Sequence, residues 1–423
     1  MTQEERKLKR ERDTKKAFIT LTGLVCIAIA VVTAAVFGIK FFIGKKEIIS
    51  SNKPATETQK ESENGTTEKP VIDPLTQEAI TVVAGMTTEQ KVAQMFFITP
   101  DALTGTQGAT VVGNTTKQAY VNYPVGGLIY EKNNFKTAEQ TKTMLDAMKT
   151  LSIESVGLPI FLGIEEEGGK ASVIASKSPL DVANIDDMSV IGASGDAAKA
   201  YEAAATIGAY LSDLGFNLNL APMADVLTNE SNTALKDRSF GSDSTVVSDM
   251  TVSALQGLKE KGIYGVVKHF PGQGATIGDS RKGAVSTDKT LEELMACELI
   301  PFQNAIASGA EFIMAGHIAV PGITGNTVPA SLSEYMITQV LRTELGYKGI
   351  IITDAMNVKA ITESYDSGQA AIEAINAGVD MILMPTDFKA AYDAVLGAVK
   401  NGTISEERIN SSLVRIVKTK LGM

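Results

Sequence analysis

The chain has 423 residues, with 39 basic against 49 acidic side chains and a formal net charge of −10 at pH 7. This acidic balance argues against a nucleic-acid partner, which would need a basic face. The length allows two or three ordinary domains, but a single barrel of about 250 residues or more is also compatible with it.

The N-terminal region has the pattern of a membrane anchor. A tail at residues 1–16 is rich in Lys and Arg, and residues 17–39 carry no charge. At about 1.5 Å per residue, this segment is long enough to cross a bilayer core of roughly 30 Å. The basic tail favours a cytoplasmic N-terminus and an extracellular C-terminal domain. We predict an uncleaved signal anchor in the cell membrane. A cleaved signal peptide is the alternative, because small residues occur at Thr33-Ala34-Ala35.

Residues 40–74 separate this segment from the rest of the chain. They are rich in Ser, Thr, Glu, Lys and Asn and show no apolar periodicity, so we predict a flexible linker. Of the two cysteines, Cys26 lies in the apolar segment and Cys297 lies in the C-terminal region. The extracellular part therefore has no partner for a disulfide, as is typical of a bacterial surface protein.

From residue 75 to residue 423, short apolar runs alternate with longer helical patterns. The predicted strands are 94–98, 126–129, 160–164, 217–221, 265–268, 312–315, 349–353 and 381–384. The predicted helices are 137–149, 196–214, 245–261, 291–308, 333–345, 365–377 and 405–421. Eight strands, each followed by a helix, predict an α/β fold of the (β/α)₈ TIM-barrel type. An open doubly wound sheet is the alternative, because spacing does not establish closure.

Polar and glycine-rich motifs follow several predicted strands. The strand 265–268 leads into His269 and a loop of Gly and Pro, and His317 follows the strand 312–315. The C-terminal ends of barrel strands are where such enzymes place their active sites, and glycines allow close approach of a ligand. Each histidine is also open to a purely structural interpretation, in which it is buried and hydrogen-bonded.

The loop after the fifth strand carries a resemblance to a known family. Residues 268–274 read Lys-His-Phe-Pro-Gly-Gln-Gly, and residues 279–281 read Asp-Ser-Arg. This loop resembles the signature of family 3 glycoside hydrolases, in the single-domain β-N-acetylhexosaminidase branch, where the pattern is approximately Lys-His-Phe-Pro-Gly-His-Gly-Asp-Thr followed by Asp-Ser-His. Further motifs of this family are matched in order at residues 86–94, 165–169, 221–226, 237–241 and 353–356.

The resemblance implies a set of site residues. It assigns the nucleophile of retaining hydrolysis to Asp354, which follows the strand 349–353. A residue that only caps the next helix is the structural alternative for Asp354. The substrate-binding positions implied are Glu165, in place of the usual Asp, together with Arg238, Lys268 and His269.

The same resemblance exposes several departures from the family pattern. The acid/base element is implied to be Asp279 with its neighbours, but Arg281 stands where the family has His. A guanidinium does not release its proton near neutral pH and is not a general acid. Ala275 replaces an Asp, Lys170 replaces an Arg, and Val173 stands where a second Arg is expected.

These observations lead to a functional prediction. We expect a glycosidase resembling β-N-acetylhexosaminidases, which removes terminal N-acetylhexosamine from cell-wall-type glycans with an impaired or altered acid/base. The alternative is a catalytically inactive glycan-binding sensor or scaffold on the same fold. No cofactor is expected, and no metal, because two histidines and one extracellular cysteine give no ligand cluster. The expected partners are a glycan and, through residues 17–39, a membrane, but no nucleic acid.

Overall fold

The computed structural model describes residues 73–423. The predicted basic tail, the predicted membrane segment 17–39 and nearly all of the predicted linker therefore lie outside the described residues. Within residues 73–423, no helix is long and apolar enough to cross a membrane.

Eight parallel strands form a barrel in the order β10-β1-β2-β3-β4-β5-β7-β9. A parallel bridge between Ile352 and Met381 joins the two outer strands, so the sheet curls into a nearly closed TIM-like barrel. A separate parallel pair, β6 and β8, connects the loop after β5 to the loop after β7. The strands are β1 (Phe96–Ile98), β2 (Gly127–Ile129), β3 (Phe161–Ile164), β4 (Leu218–Asn219), β5 (Tyr264–Phe270), β6 (Val285–Ser286), β7 (Phe312–Ala315), β8 (Ile318–Ala319), β9 (Ile350–Thr353) and β10 (Ile382–Leu383).

Helices surround the barrel and cover its outer face. They are α1 (Pro74–Gly85), α2 (Thr88–Gln94), α3 (Pro100–Thr104), α4 (Asn114–Asn122), α5 (Ala138–Val156), α6 (Ile174–Lys177), α7 (Met188–Ala193), α8 (Ala197–Leu214), α9 (Ser244–Glu260), α10 (Leu291–Met295), α11 (Ile300–Ala307), α12 (Pro321–Thr324), α13 (Tyr335–Glu344, a π-helix), α14 (Lys359–Thr362), α15 (Ser367–Ala377), α16 (Phe388–Lys400) and α17 (Glu406–Leu421). Short 3₁₀ turns occur at Lys132–Asn134, Gly169–Ala171 and Ala330–Leu332.

Most residues of the barrel strands are apolar and buried, because both faces of these strands are covered. All four residues of β7 and all four of β9 are buried. Such continuous apolar runs are typical of parallel strands that lie between a core and a layer of helices. The predicted eight strands are confirmed at the predicted places, with ends that differ by a few residues.

One predicted helix is divided in two. The prediction of a single helix at 291–308 is wrong, because α10 ends at Met295 and α11 begins at Ile300. Pro301 lies in the first turn of α11, where its missing N–H has no partner to lose. In the middle of a longer helix, the same ring would collide with the carbonyl four residues earlier.

Helix α17 covers the floor of the barrel, where the strands begin. The mouth of the barrel, where the strands end, lies on the opposite side. The Lys420 ammonium donates to Gln94 Oε1 at 2.7 Å and lies 5.1 Å from the centre of the Phe161 ring. Arg415 pairs with Asp380 at 3.0 Å. Gln94, Phe161 and Asp380 all lie just before or at the start of strands, so α17 covers the floor and leaves the mouth open.

Candidate active site

A cavity of about 320 Å³ opens at the mouth of the barrel. Five of the residues expected from the sequence line it: Glu165, Arg238, His269, Asp279 and Asp354. His269 lies near the C-terminal end of β5, and the other four lie on the loops after β3, β4, β5 and β9, which the barrel brings to one rim. Lys268, the sixth, is fully buried and is not among the residues that line the cavity.

Asp354 lies directly after β9, on a turn that is held from both sides. Its N–H donates to the Ala315 carbonyl at 2.8 Å, and the Met356 N–H donates to the Leu383 carbonyl at 2.9 Å. Asp354 Oδ1 accepts the Ala355 N–H at 2.7 Å. Burial opposes ionisation of the carboxyl, but the charges of neighbouring groups, His269 foremost, and the Ala355 N–H lower the pKa of Asp354 below its usual value.

His317 supports this turn from below. Its Nε2 lies 3.0 Å from the Ala355 carbonyl and therefore donates, while Nδ1 lies 2.8 Å from the Ser331 hydroxyl. Burial lowers the pKa of His317, so the neutral imidazole fits this pair of hydrogen bonds. The structural interpretation holds for His317, which is buried and does not line the cavity.

Two cations and two carboxylates form a cluster on the wall of the cavity. The Lys268 ammonium lies 2.5 Å from Glu165 Oε1 and 2.5 Å from Glu167 Oε1. Arg238 donates to Glu167 through Nε at 2.8 Å and through a terminal nitrogen at 2.5 Å. Glu167 is buried and bridges both cations, whereas the Glu165 side chain is 45% exposed and faces the cavity.

The charges in this cluster stabilise one another. Burial alone would raise the pKa of Glu167, but Arg238 and Lys268 hold it well below its usual range. Burial alone would lower the pKa of Lys268, yet Glu165 and Glu167 raise it. Glu167, Lys268 and Arg238 therefore stay ionised around neutral pH, because the pKa of the carboxyl is lowered and the pKa values of the two cations are raised.

His269 has a carboxylate partner of its own. Its Nδ1 lies 2.7 Å from Asp225 Oδ2, so Nδ1–H donates to this fully buried carboxylate. Asp225 Oδ1 also accepts the Gln273 N–H at 2.6 Å. Within residues 73–423, His269 Nε2 has no hydrogen bond, which leaves it free for a ligand in the cavity.

Asp279 is bound tightly by Arg281. The guanidinium donates to both carboxylate oxygens at 2.8 Å, and the Arg281 N–H adds a third hydrogen bond at 3.0 Å. This pairing lowers the pKa of Asp279 below its usual value. The loop is anchored nearby, because the Ser280 carbonyl accepts the Ala360 N–H at 3.0 Å.

Two of the positions that depart from the family pattern, Lys170 and Val173, have different surroundings in the structure. Lys170 lines the cavity and pairs with Asp237 at 2.9 Å and with Asp187 at 3.1 Å. Val173 packs against the core and does not line the cavity. Lys170, Asp187 and Asp237 therefore form a triad of ion pairs at this wall of the cavity.

Sequence reasoning assigned no role to three residues that organise the site: Glu167, Asp225 and Gln273. All three lie inside motifs that the resemblance had marked, so their positions were visible while their partners were not. Their neighbour Glu166 has a different role. It accepts the N–H groups of Ile174 and Ala175 at 2.7 and 2.9 Å and so caps α6.

No metal centre is evident in the part of the chain that the structure describes. Residues 73–423 contain no group of three or more His, Cys, Asp or Glu side chains placed to hold an ion. The carboxylates of the cavity are instead paired with Lys and Arg, apart from Asp354.

The arrangement at the barrel mouth can be compared with known proteins. The sequence model of the glycosyl hydrolase family 3 N-terminal domain matches residues 87–419. The chain belongs to glycoside hydrolase family 3. The match covers the whole barrel, including the loops that carry the cavity residues.

Several family 3 proteins are similar to this chain. β-Hexosaminidase A of Pseudoalteromonas piscicida is 31% identical over 70% of the chain, and the chain spans 53% of that protein. β-Hexosaminidase LpqI of Mycobacterium tuberculosis is 30% identical over 71% of the chain and is spanned to 76%. The structure of a family 3 β-N-acetylglucosaminidase from Paenibacillus sp. matches with a TM-score of 0.74 and 34% identity, covering 80% of this chain and 62% of that one.

Proposed function

We propose that this protein is a retaining glycosidase of the β-N-acetylhexosaminidase type, with Asp354 as the nucleophile. One observation carries the proposal. Of the carboxylates that line the cavity, Asp354 is the one with no salt bridge to any described residue. A cation that pairs with a carboxylate lowers its nucleophilicity, and Asp354 has no such partner among the described residues.

The first step follows from this placement. Asp354 attacks the anomeric carbon of the sugar and forms a glycosyl ester, while the bond to the leaving oxygen breaks. The lowered pKa keeps Asp354 ionised at neutral pH, as the attack requires. Glu165, Arg238 and His269 line the same cavity, which supports a role for them in binding the hydroxyl groups of the ring.

The acid that should protonate the leaving oxygen is impaired. Asp279 lies at the cavity, but its bidentate pair with Arg281 keeps it ionised and occupies both of its oxygens. Loss of general acid catalysis typically costs about 10²–10⁴-fold in rate on a poor leaving group. We therefore expect slow cleavage of natural glycosides and faster cleavage of aryl glycosides, whose leaving groups need no proton.

The same pair supports a second candidate function. A barrel that keeps its sugar-binding wall and lacks its acid can act as a glycan-binding sensor or scaffold. The ligand would again be a glycan with N-acetylhexosamine, because the relatives named as β-hexosaminidases support this class of sugar.

Calorimetry combined with a turnover assay separates the two functions. N-acetylglucosamine and cell-wall disaccharides would be titrated into the protein while nitrophenyl N-acetylglucosaminide hydrolysis is followed. Slow aryl-glycoside turnover that disappears in Asp354→Ala supports the glycosidase. Binding with no turnover of any substrate supports the sensor, and no binding to any of these sugars contradicts both.

The proposed place of action is the outer side of the cell membrane. This proposal rests on the uncharged segment 17–39 and the basic tail before it. Limited proteolysis of the full chain should cut between residues 47 and 74 and release a soluble, folded body. Release of the uncut, full-length chain from membranes by salt or carbonate washing would contradict the anchor.

A further inference from the structure

Gln273 is a buried residue on the wall of the cavity. It is 4% exposed, and it lines the cavity together with His269 and Asp279. Within residues 73–423 its side-chain amide makes no hydrogen bond, although its backbone makes several. Its amide is therefore available to a molecule in the cavity, in contrast to Glu165 and Asp279, which are held by cations.

The backbone around Gln273 is held in place. Its N–H donates to Asp225 Oδ1 at 2.6 Å, and its carbonyl accepts Asn232 Nδ2 at 2.9 Å and the Thr276 hydroxyl at 2.9 Å. A Cβ on Gly274 would lie 1.8 Å from the Val226 carbonyl oxygen, so this backbone packs tightly on its neighbours. The direction of the Gln273 side chain is thus fixed by the fold.

The amide atoms of Gln273 are not among the fully buried side-chain atoms that lack a partner, so the amide reaches the open cavity and is hydrated there. A ligand that fills the cavity displaces this water and must supply the hydrogen bonds that the amide gives up. An amide offers both a donor and an acceptor, and it carries no charge at any pH in the working range. Gln273 and Asp354 line the same cavity.

We propose that Gln273 binds the sugar directly, through a group that offers both an acceptor and a donor. An acetamido group and a pair of neighbouring hydroxyls both have this chemistry. The inference rests on the proposed function and deepens it, because Gln273 becomes a residue that sets specificity for the ring in the cavity. The family signature has His at this position, so the preference would be particular to this chain.

Gln273→Leu tests the proposal, with binding of N-acetylglucosamine measured by calorimetry. Loss of a donor and an acceptor to the ligand should weaken binding by about tenfold, while the thermal midpoint stays close to that of the wild type. Gln273→Met, an unbranched side chain of similar length, is measured in parallel in case the Leu variant does not fold. Gln256→Leu on α9, where the amide is exposed, is the control and should bind like the wild type.

A second titration identifies the group that Gln273 contacts. If the variants lose affinity for N-acetylglucosamine but not for glucose, the acetamido group is the partner. If they lose affinity for both sugars, the partner is a hydroxyl pair. Wild-type affinity for N-acetylglucosamine in a folded Leu or Met variant overturns the role of Gln273 and leaves the proposed function standing. A wild-type protein that binds no sugar overturns both.

Discussion

At the scale of single residues, the chemistry of this barrel depends on which charges are paired. Lys268, Arg238 and Lys170 each lie against carboxylates, and Arg281 lies against Asp279. Among the carboxylates that line the cavity, Asp354 is left without a salt bridge to any described residue. The sequence indicated the residue types, but the pairing depends on side-chain geometry that no motif encodes.

Replacing Arg281 by His should restore an acid. Arg281→His removes the guanidinium that holds both oxygens of Asp279, and it places a titratable imidazole beside that carboxylate. Hydrolysis of native disaccharides should rise by roughly 10-fold or more, within the range of general acid catalysis. For aryl glycosides, kcat/KM should change little because their leaving groups need no proton, whereas kcat should rise because the same imidazole acts as the base that hydrolyses the glycosyl-enzyme. Steady-state rates on both substrates are the measurement. Arg281→Lys is the control, and an equal gain in that variant would refute the explanation.

Glu167 should be the most sensitive carboxylate of the wall. Glu167→Gln removes the charge that holds Lys268 and Arg238, which leaves two buried cations with Glu165 as their shared partner. Breaking a buried ion pair typically costs roughly 3–5 kcal/mol in the free energy of unfolding. Urea denaturation measures that loss, with Glu154→Gln on the exposed surface as the control. An unchanged unfolding free energy would show that Glu165 alone satisfies both cations.

At the scale of elements, the sequence predicted what periodicity and local chemistry determine. The eight strands and most helices were predictable because apolar runs and helical spacing are local signals. Pro301 is a sequence signal that the predicted helix at 291–308 could be interrupted. The sequence does not show that Pro301 lies in the first turn of a second helix. The pair β6 and β8 has only two residues in each strand, too few for a pattern, and it forms because two loops meet.

The loop after β5 depends on one close backbone contact. Gly274→Ala would place a Cβ 1.8 Å from the Val226 carbonyl oxygen, so the loop must shift. Because this loop carries Gln273 and Asp279, we expect loss of sugar binding by at least about tenfold, as for a lost hydrogen-bond pair, and a lower thermal midpoint. Gly283→Ala on the same loop meets no atom within 4 Å and should behave like the wild type. Equal behaviour of the two variants would contradict the tight packing.

At the scale of the whole molecule, the residues that line the cavity and the residues that hold α17 on the barrel lie at opposite ends of the strands. The mouth carries the cavity, whereas the floor is held by α17 through Lys420 and through the contacts of Asp380 with Arg415. The rim position of the motifs was predictable, because strand ends of one parallel barrel share a face. The closing role of α17 was not, since its partners lie far away in the sequence.

Lys420 should make stability depend on pH. Burial lowers the pKa of Lys420 from 10.5 to about 7. The unfolded chain therefore binds this proton more tightly than the folded protein does. Between pH 7 and 10 the free energy of unfolding should rise by about 1.4 kcal/mol per pH unit from this group. In Lys420→Met that contribution should vanish, as denaturation at several pH values would show. A parallel pH dependence in both proteins would contradict it.

We expect Asp354 to form a glycosyl-enzyme that decays slowly, because no base activates the water. Intact-protein mass spectrometry after mixing with nitrophenyl N-acetylglucosaminide would detect this adduct. The wild type should gain the mass of one N-acetylhexosaminyl group, located on the peptide that contains Asp354, and Asp354→Ala should gain none. An unmodified wild-type protein that hydrolyses native disaccharides efficiently, or an adduct that persists in Asp354→Ala, would contradict the account.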